Sequence, residues 1–87
     1  MGYYVYIMES KKDGSYYIGQ TADLSRRIKW HNMGNSRYTK NKIPWELKYV
    51  EEYDSRKEAV RREREIKRKK SRKYIKYLIS RGVAQSG

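Results

Sequence analysis

The sequence predicts an α+β fold: a three-stranded antiparallel sheet flanked by helices, in the order β-β-α-β-α-α. Three observations predict it. Residues 3–9 (YYVYIME) and 15–21 (SYYIGQT) are β-branched and aromatic runs on either side of Asp13-Gly14, a strong hairpin signal. Two later segments open on capping residues and carry apolar side chains at helical spacing. Finally, 87 residues with no cysteine leave a single hydrophobic core to stabilise the chain, without a disulfide framework or a thiolate metal site.

Taken in order, the first two strands pair antiparallel through the turn. With Asp13 and Gly14 as a two-residue turn, Lys12 faces Ser15, Met8 faces Gly19 and Tyr6 faces Thr21. Tyr6, Tyr17 and Gly19 then share one sheet face. From Asp23, "DLSRRIKWHNMG" reads as a helix capped by Asp23 and ended by Gly34, with Leu24, Ile28 and His31 on one side and Arg27 one step off that stripe. Residues 35–45 are polar, contain the single proline and read as a loop. "ELKYVEEYD" alternates as a third strand, with Pro44 suited to its start. Ser55 and Glu58 form an S-x-x-E capping box that opens a helix over 56–70. "SRKYIKYLIS" reads as a last helix or a continuation, and 81–87 as a frayed tail after a domain spanning 2–80.

Charge narrows the function classes. The net charge is +12, and twelve of the basic residues lie between Arg56 and Lys76, a density suited to phosphate contacts and counterion release. No wide apolar face accompanies this charge, which disfavours an interfacial membrane helix, and no apolar run approaches the ~20 residues of a membrane span. The expected partner is nucleic acid, DNA before RNA because no RNA-binding motif is present, with no membrane association, room for a protein partner and a reducing, cytoplasmic setting.

One charge stands out by position. In the second helix Ala59, Glu63 and Ile66 fall on one stripe, which places Glu63 toward the sheet. A carboxylate there needs a cation or hydrogen-bond partners, an ion pair with Arg27 or another basic side chain being the ordinary arrangement. Ten tyrosines and no phenylalanine are the second oddity. Tyr3, Tyr4 and Tyr16 suit amphipathic sheet positions with hydroxyls at the rim.

Tyr4-Val5-Tyr6, followed at hairpin spacing by Tyr17-Ile18-Gly19, resembles the paired signatures of the GIY-YIG endonuclease superfamily. "QTADLSRRIKWHN" resembles that family's helix, with its arginine at Arg27 and a His or Tyr one turn later at His31. "EAVRREREIK" resembles the helix whose glutamate, here Glu63, holds the metal, and "SRYTKNKIPWEL" is similar to a loop of the short single-domain members. The likeness spans residues 3–79.

The resemblance implies hydrolysis of DNA phosphodiester bonds with one divalent cation, Mg²⁺ or Mn²⁺. It implies Tyr6 as general base, Tyr17 as its partner, Arg27 as transition-state clamp, His31 at the phosphate or the proton, and Glu63 as metal ligand. A lone carboxylate suits Mg²⁺, which keeps several waters. A phenol near pKa 10 must be lowered to act as a base, and Arg27 and a nearby metal are expected to do so, with a second tyrosine hydroxyl bonding it. Gly19, Gln20, Arg37, Lys40 and Lys67 are candidate DNA contacts. The chain departs from the pattern at YVY, which lacks the signature glycine, at Gln20, where many relatives carry lysine, and beyond Glu63, where no asparagine follows; Asn32 or a lysine is the expected substitute. Low sequence preference and a role in DNA repair or processing are expected, the alternative being a non-catalytic nucleic-acid module or partner-dependent subunit. The Tyr6/Tyr17 side of the sheet is expected to stand open.

Overall fold

The computed structural model describes residues 2–85, with side chains through Arg81. Strands β1 (Tyr3–Ser10) and β2 (Tyr16–Thr21) precede helix α1 (Leu24–Asn32); strand β3 (Trp45–Tyr53) precedes helices α2 (Arg56–Lys69) and α3 (Arg72–Gln85). The sheet is antiparallel in the order β2-β1-β3, so the first strand is central. The α+β expectation holds.

Being central, β1 is covered on both faces, and its alternation sorts the core in two. Val5 and Ile7 pack with Tyr49, Ala59, Ile66, Ile75 and Leu78 under α2 and α3. Tyr6 and Met8 point the other way, to Trp45, Tyr17, Leu24, Ile28 and Ile43. The Tyr6 face is therefore closed, contrary to the expectation of an open side: Tyr6 is 1% exposed. Helix α1 and the segment before β3 supply the apolar cover that a sheet of this size needs on both sides.

The hairpin register differs from the two-residue-turn reading. Tyr6 faces Gly19 and Met8 faces Tyr17. The turn is longer because Ser10 organises it: its Oγ accepts from the amides of Lys12 (3.1 Å) and Asp13 (3.3 Å), and Ser10 N donates to Ser15 O at 2.8 Å. Gly14 follows at φ +78, and Asp13 Oδ1 accepts from Ser15 N. The slip is two residues, so every side chain keeps its face and Tyr6, Tyr17 and Gly19 still share one.

A second irregularity moves a residue across the sheet. Ile7 pairs with Tyr49 but Met8 pairs with Leu47, so β3 bulges at Lys48. The extra residue turns Trp45 from the α2 side to the α1 side, where it joins the Tyr6 cluster. The strand also begins at Trp45, within the expected loop, which itself contains a short 3₁₀ turn at Lys40–Lys42.

The helix ends follow the sequence. Asp23 Oδ1 accepts from Arg26 N and caps α1, while Gly34, at φ +83, closes it. Ser55 caps α2 by accepting from Glu58 N and donating to the Glu58 carboxylate. Lys70, at φ +47, ends α2, and Ser71 Oγ accepts from Tyr74 N, so α3 is a separate helix rather than a continuation. Of the tail expected at 81–87, the backbone to Gln85 is part of α3, and residues 86–87 lie outside the described residues.

Candidate active site

The site begins at Gly19. A Cβ built there would meet the Tyr6 hydroxyl at 2.5 Å, its Cζ at 2.7 Å and Tyr17 Cε2 at 3.1 Å. Only glycine lets the Tyr6 phenol lie across β2. That position brings the hydroxyl to His31 Nε2 at 3.1 Å, and His31 Nδ1 lies 2.9 Å from Thr39 Oγ1. All three residues of this Tyr6–His31–Thr39 chain are at most 1% exposed. Thr39 is held in turn by Trp45, whose indole Nε1–H donates to the Thr39 carbonyl at 2.9 Å. The bulge at Lys48 thus sets the far end of the chain.

Around this line the rings pack closely. Tyr17 lies 5.0 Å from the His31 ring and 6.3 Å from both Tyr6 and Trp45, between centroids. The hydrogen bond of Tyr6 goes to His31 and not to Tyr17 as expected; Tyr17 acts on it as a packed, half-buried neighbour. The Arg27 guanidinium stacks 4.6 Å above Trp30, and Trp30 in turn meets the His31 ring edge at 5.1 Å. Arg27 Nε is buried without a hydrogen-bond partner among the described residues. An unpaired buried donor on a cation is costly, and an anion would satisfy it.

Burial raises the Tyr6 pKa to about 12, helped by Tyr17 and Glu63 and opposed by Arg27. Arg27 alone therefore does not lower the phenol as expected, because desolvation outweighs one cation. Burial, with Arg27 adding to it, lowers His31 to about 4. At neutral pH the pair is a phenol beside a neutral imidazole.

Glu63 lies close enough to act on Tyr6 electrostatically. Its side chain is 18% exposed, and it pairs with Lys67 Nζ at 2.7 Å, one turn on, rather than with Arg27. Among the described residues no three His, Asp or Glu side chains cluster, so Glu63 offers one carboxylate and not a cage. That donor set fits a hard cation that retains waters and takes substrate oxygens.

The other expected contacts scatter. Gly19 is buried beneath Tyr6, and Gln20 Oε1 accepts from Arg56 Nη1 at 3.2 Å. Lys67 is engaged by Glu63, while Arg37 and Lys40 stand exposed beside Thr39. Asn32 is structural: its Nδ2 donates to Trp45 O at 3.0 Å and its Oδ1 accepts from Trp45 N at 2.6 Å, joining α1 to β3. Tyr3 and Tyr16 lie on the sheet with Arg56 and Arg72 stacked over their rings. The sequence assigns no role to Thr39 or Trp30. Thr39 follows Tyr38 in the SRYTKNKIPWEL segment, a signal of place but not of role.

The sequence model of the GIY-YIG catalytic domain matches residues 2–76. The chain belongs to the GIY-YIG family. This is a nuclease superfamily, so the GIY-YIG core here carries nucleic acid as its indicated substrate. A UPF0213 protein of Staphylococcus saprophyticus is 44% identical over 92% of this chain and 96% of its own length. One from Halobacterium salinarum is 44% identical over 75% and 84%. The solution NMR structure of a UPF0213 protein from Bacillus halodurans superimposes with TM-score 0.58 at 43% identity, covering 92% of this GIY-YIG chain and 84% of that one. No helix among the described residues is long and apolar enough to cross a membrane.

Proposed function

We propose that this protein is a divalent-metal-dependent endonuclease that hydrolyses DNA phosphodiester bonds with little sequence preference, in DNA repair or processing. The observation that carries the reading is the meeting of a buried Tyr6–His31 hydrogen bond with the unpartnered Arg27 Nε and the Glu63 carboxylate. Each is a part that phosphoryl transfer needs: a proton acceptor, a cation for the equatorial oxygens and a metal ligand.

In this reading the scissile phosphate sits at the Arg27 guanidinium, whose charge faces its equatorial oxygens. Phosphate charge offsets the Arg27 field that disfavours the imidazolium, so substrate binding raises the His31 pKa. Tyr6 takes the proton of the attacking water as its own moves to His31 Nε2, and Thr39 Oγ1 accepts from Nδ1–H to fix the ring. Tyr17 packs the ring in place. Glu63 would hold Mg²⁺ or Mn²⁺, whose charge stabilises the developing phosphorane and the leaving oxygen. Lys67 must then release Glu63.

The test is strand cleavage of linear, nicked and branched DNA with Mg²⁺, Mn²⁺ or EDTA, for wild type beside Glu63→Gln and Tyr6→Phe. Metal-dependent cutting lost in both variants supports the reading. A wild type that binds each DNA and cuts none, or variants that cut as well as wild type, overturns it and favours a nucleic-acid binding module.

A further inference from the structure

Helix α2 turns Ala59 and Ile66 into the core, and on the wheel its opposite face is Lys57, Arg61, Arg64 and Arg68. All four are exposed, and none makes an ion pair among the described residues. Their 4-3-4 spacing stacks like charges as helical neighbours, each of which destabilises an isolated helix. An ordinary solvated face would alternate signs. Here the acidic residues of α2 turn elsewhere: Glu58 to its cap, Glu63 to Lys67 and Glu65 to Arg62.

The same side chains, with Arg56 and Val60, line a shallow groove. Its near flank carries Arg56, which bonds Gln20 of β2 and stacks over Tyr3, and on the wheel Glu63 and Lys67 follow along that flank. Glu63 lies on the core side of that flank, roughly 100° round the helix from Arg64, so backbone leaving the candidate site reaches the groove by passing over Arg56 and Lys67. From Lys57 to Arg68 it extends ~16 Å, the axial length of about five phosphates of one strand.

We propose that this groove of α2 is the track for the phosphate backbone of the nucleic acid flanking the cleaved bond. The proposal rests on the nuclease reading for its ligand class, but it assigns a separate surface. Self-repulsion built into α2 is relieved when phosphates lie along it.

The experiment measures binding of a fluorescein-labelled 20-base-pair duplex across 50–200 mM salt in EDTA, so that no strand is cut. It compares wild type, Arg61→Gln/Arg68→Gln, and the charge-matched Lys73→Gln/Lys76→Gln on α3. Thermal unfolding is read for all three. Neutralising two phosphate contacts reduces the slope of log K against log salt by about 1.8, so the double variant loses ~12-fold less affinity than wild type over that range. The α3 control keeps the wild-type slope, and the α2 variant unfolds at the wild-type temperature or above. An unchanged slope, or equal reduction in both double variants, overturns the groove, since the charge would then act as a diffuse field. Loss of binding to phosphatidylserine vesicles with an unchanged DNA slope overturns it in favour of a membrane surface. Cleavage by wild type with an unchanged α2 slope sinks the groove alone, whereas a wild type that neither binds nor cuts sinks the nuclease reading with it.

Discussion

Gly19→Ala is the sharpest perturbation of the site. In a strand interior, exchanging glycine for alanine ordinarily stabilises by about 0.5–1 kcal/mol. Here the new methyl would sit 2.5 Å from the Tyr6 hydroxyl and 2.7 Å from its Cζ, so the phenol must move. Overpacking costs about 1–3 kcal/mol and the lost Tyr6–His31 hydrogen bond about 1 kcal/mol more. The net is about 2 kcal/mol of destabilisation, or a Tm lowered by roughly 8–16 °C in a domain of this size. Thermal unfolding by circular dichroism reads the stability, and strand cleavage reads the site. Gly14→Ala is the control: nothing lies within 4 Å of its Cβ, and at φ +78 only backbone strain applies, about 1–2 kcal/mol with activity retained. Adding Tyr6→Phe to Gly19→Ala removes the hydroxyl contact, so the double variant is less destabilised than the sum of the singles. A Gly19→Ala protein as stable as wild type and fully active would refute the close approach of Tyr6 to β2.

Three further outcomes are expected. His31, held at about 4 when folded and near 6.5 when unfolded, binds more protons in the unfolded chain, so it contributes stability above pH 6.5 that is lost as pH falls toward 4. The full effect is on the order of 3 kcal/mol by linkage; His31→Gln should flatten the Tm profile between pH 4 and 7, and a profile parallel to wild type counts against a buried neutral imidazole. Glu51 accepts from Arg62 Nε at 2.8 Å and Nη2 at 3.0 Å, and from the hydroxyls of Tyr53 and Tyr49, so Glu51→Ala leaves the half-buried guanidinium with only Glu65 and the Tyr74 hydroxyl and costs about 2 kcal/mol, measured by urea unfolding. Asn32→Ala removes both bonds to the Trp45 backbone and costs about 2 kcal/mol; if cleavage falls while stability does not, Asn32 acts in the chemistry and not as the tie described above.

What the sequence determined by itself is local. Asp23 and Ser55 marked helix starts because capping involves residues three apart, and Gly34 marked an end because few other residues take positive φ. The Tyr and β-branched runs declared strands, and their alternation put Tyr6, Tyr17 and Gly19 on one face, a result that survived the two-residue register slip because side-chain period is two. The order of these segments, with the paired signatures, also made the family legible.

Tertiary structure decided the rest. The slip depends on where Ser10 Oγ bonds, and the side Trp45 takes depends on one bulged residue, neither of which the alternating pattern of β3 reveals. The Tyr6–His31–Thr39 chain joins residues 25 and 8 positions apart, a meeting that only the packed structure brings about. The phenol and imidazole hold their protonation states through desolvation, since removing water disfavours the charged form of each. Burial on both faces of β1 is a property of the packed sheet and its three helices, which no window along the chain contains.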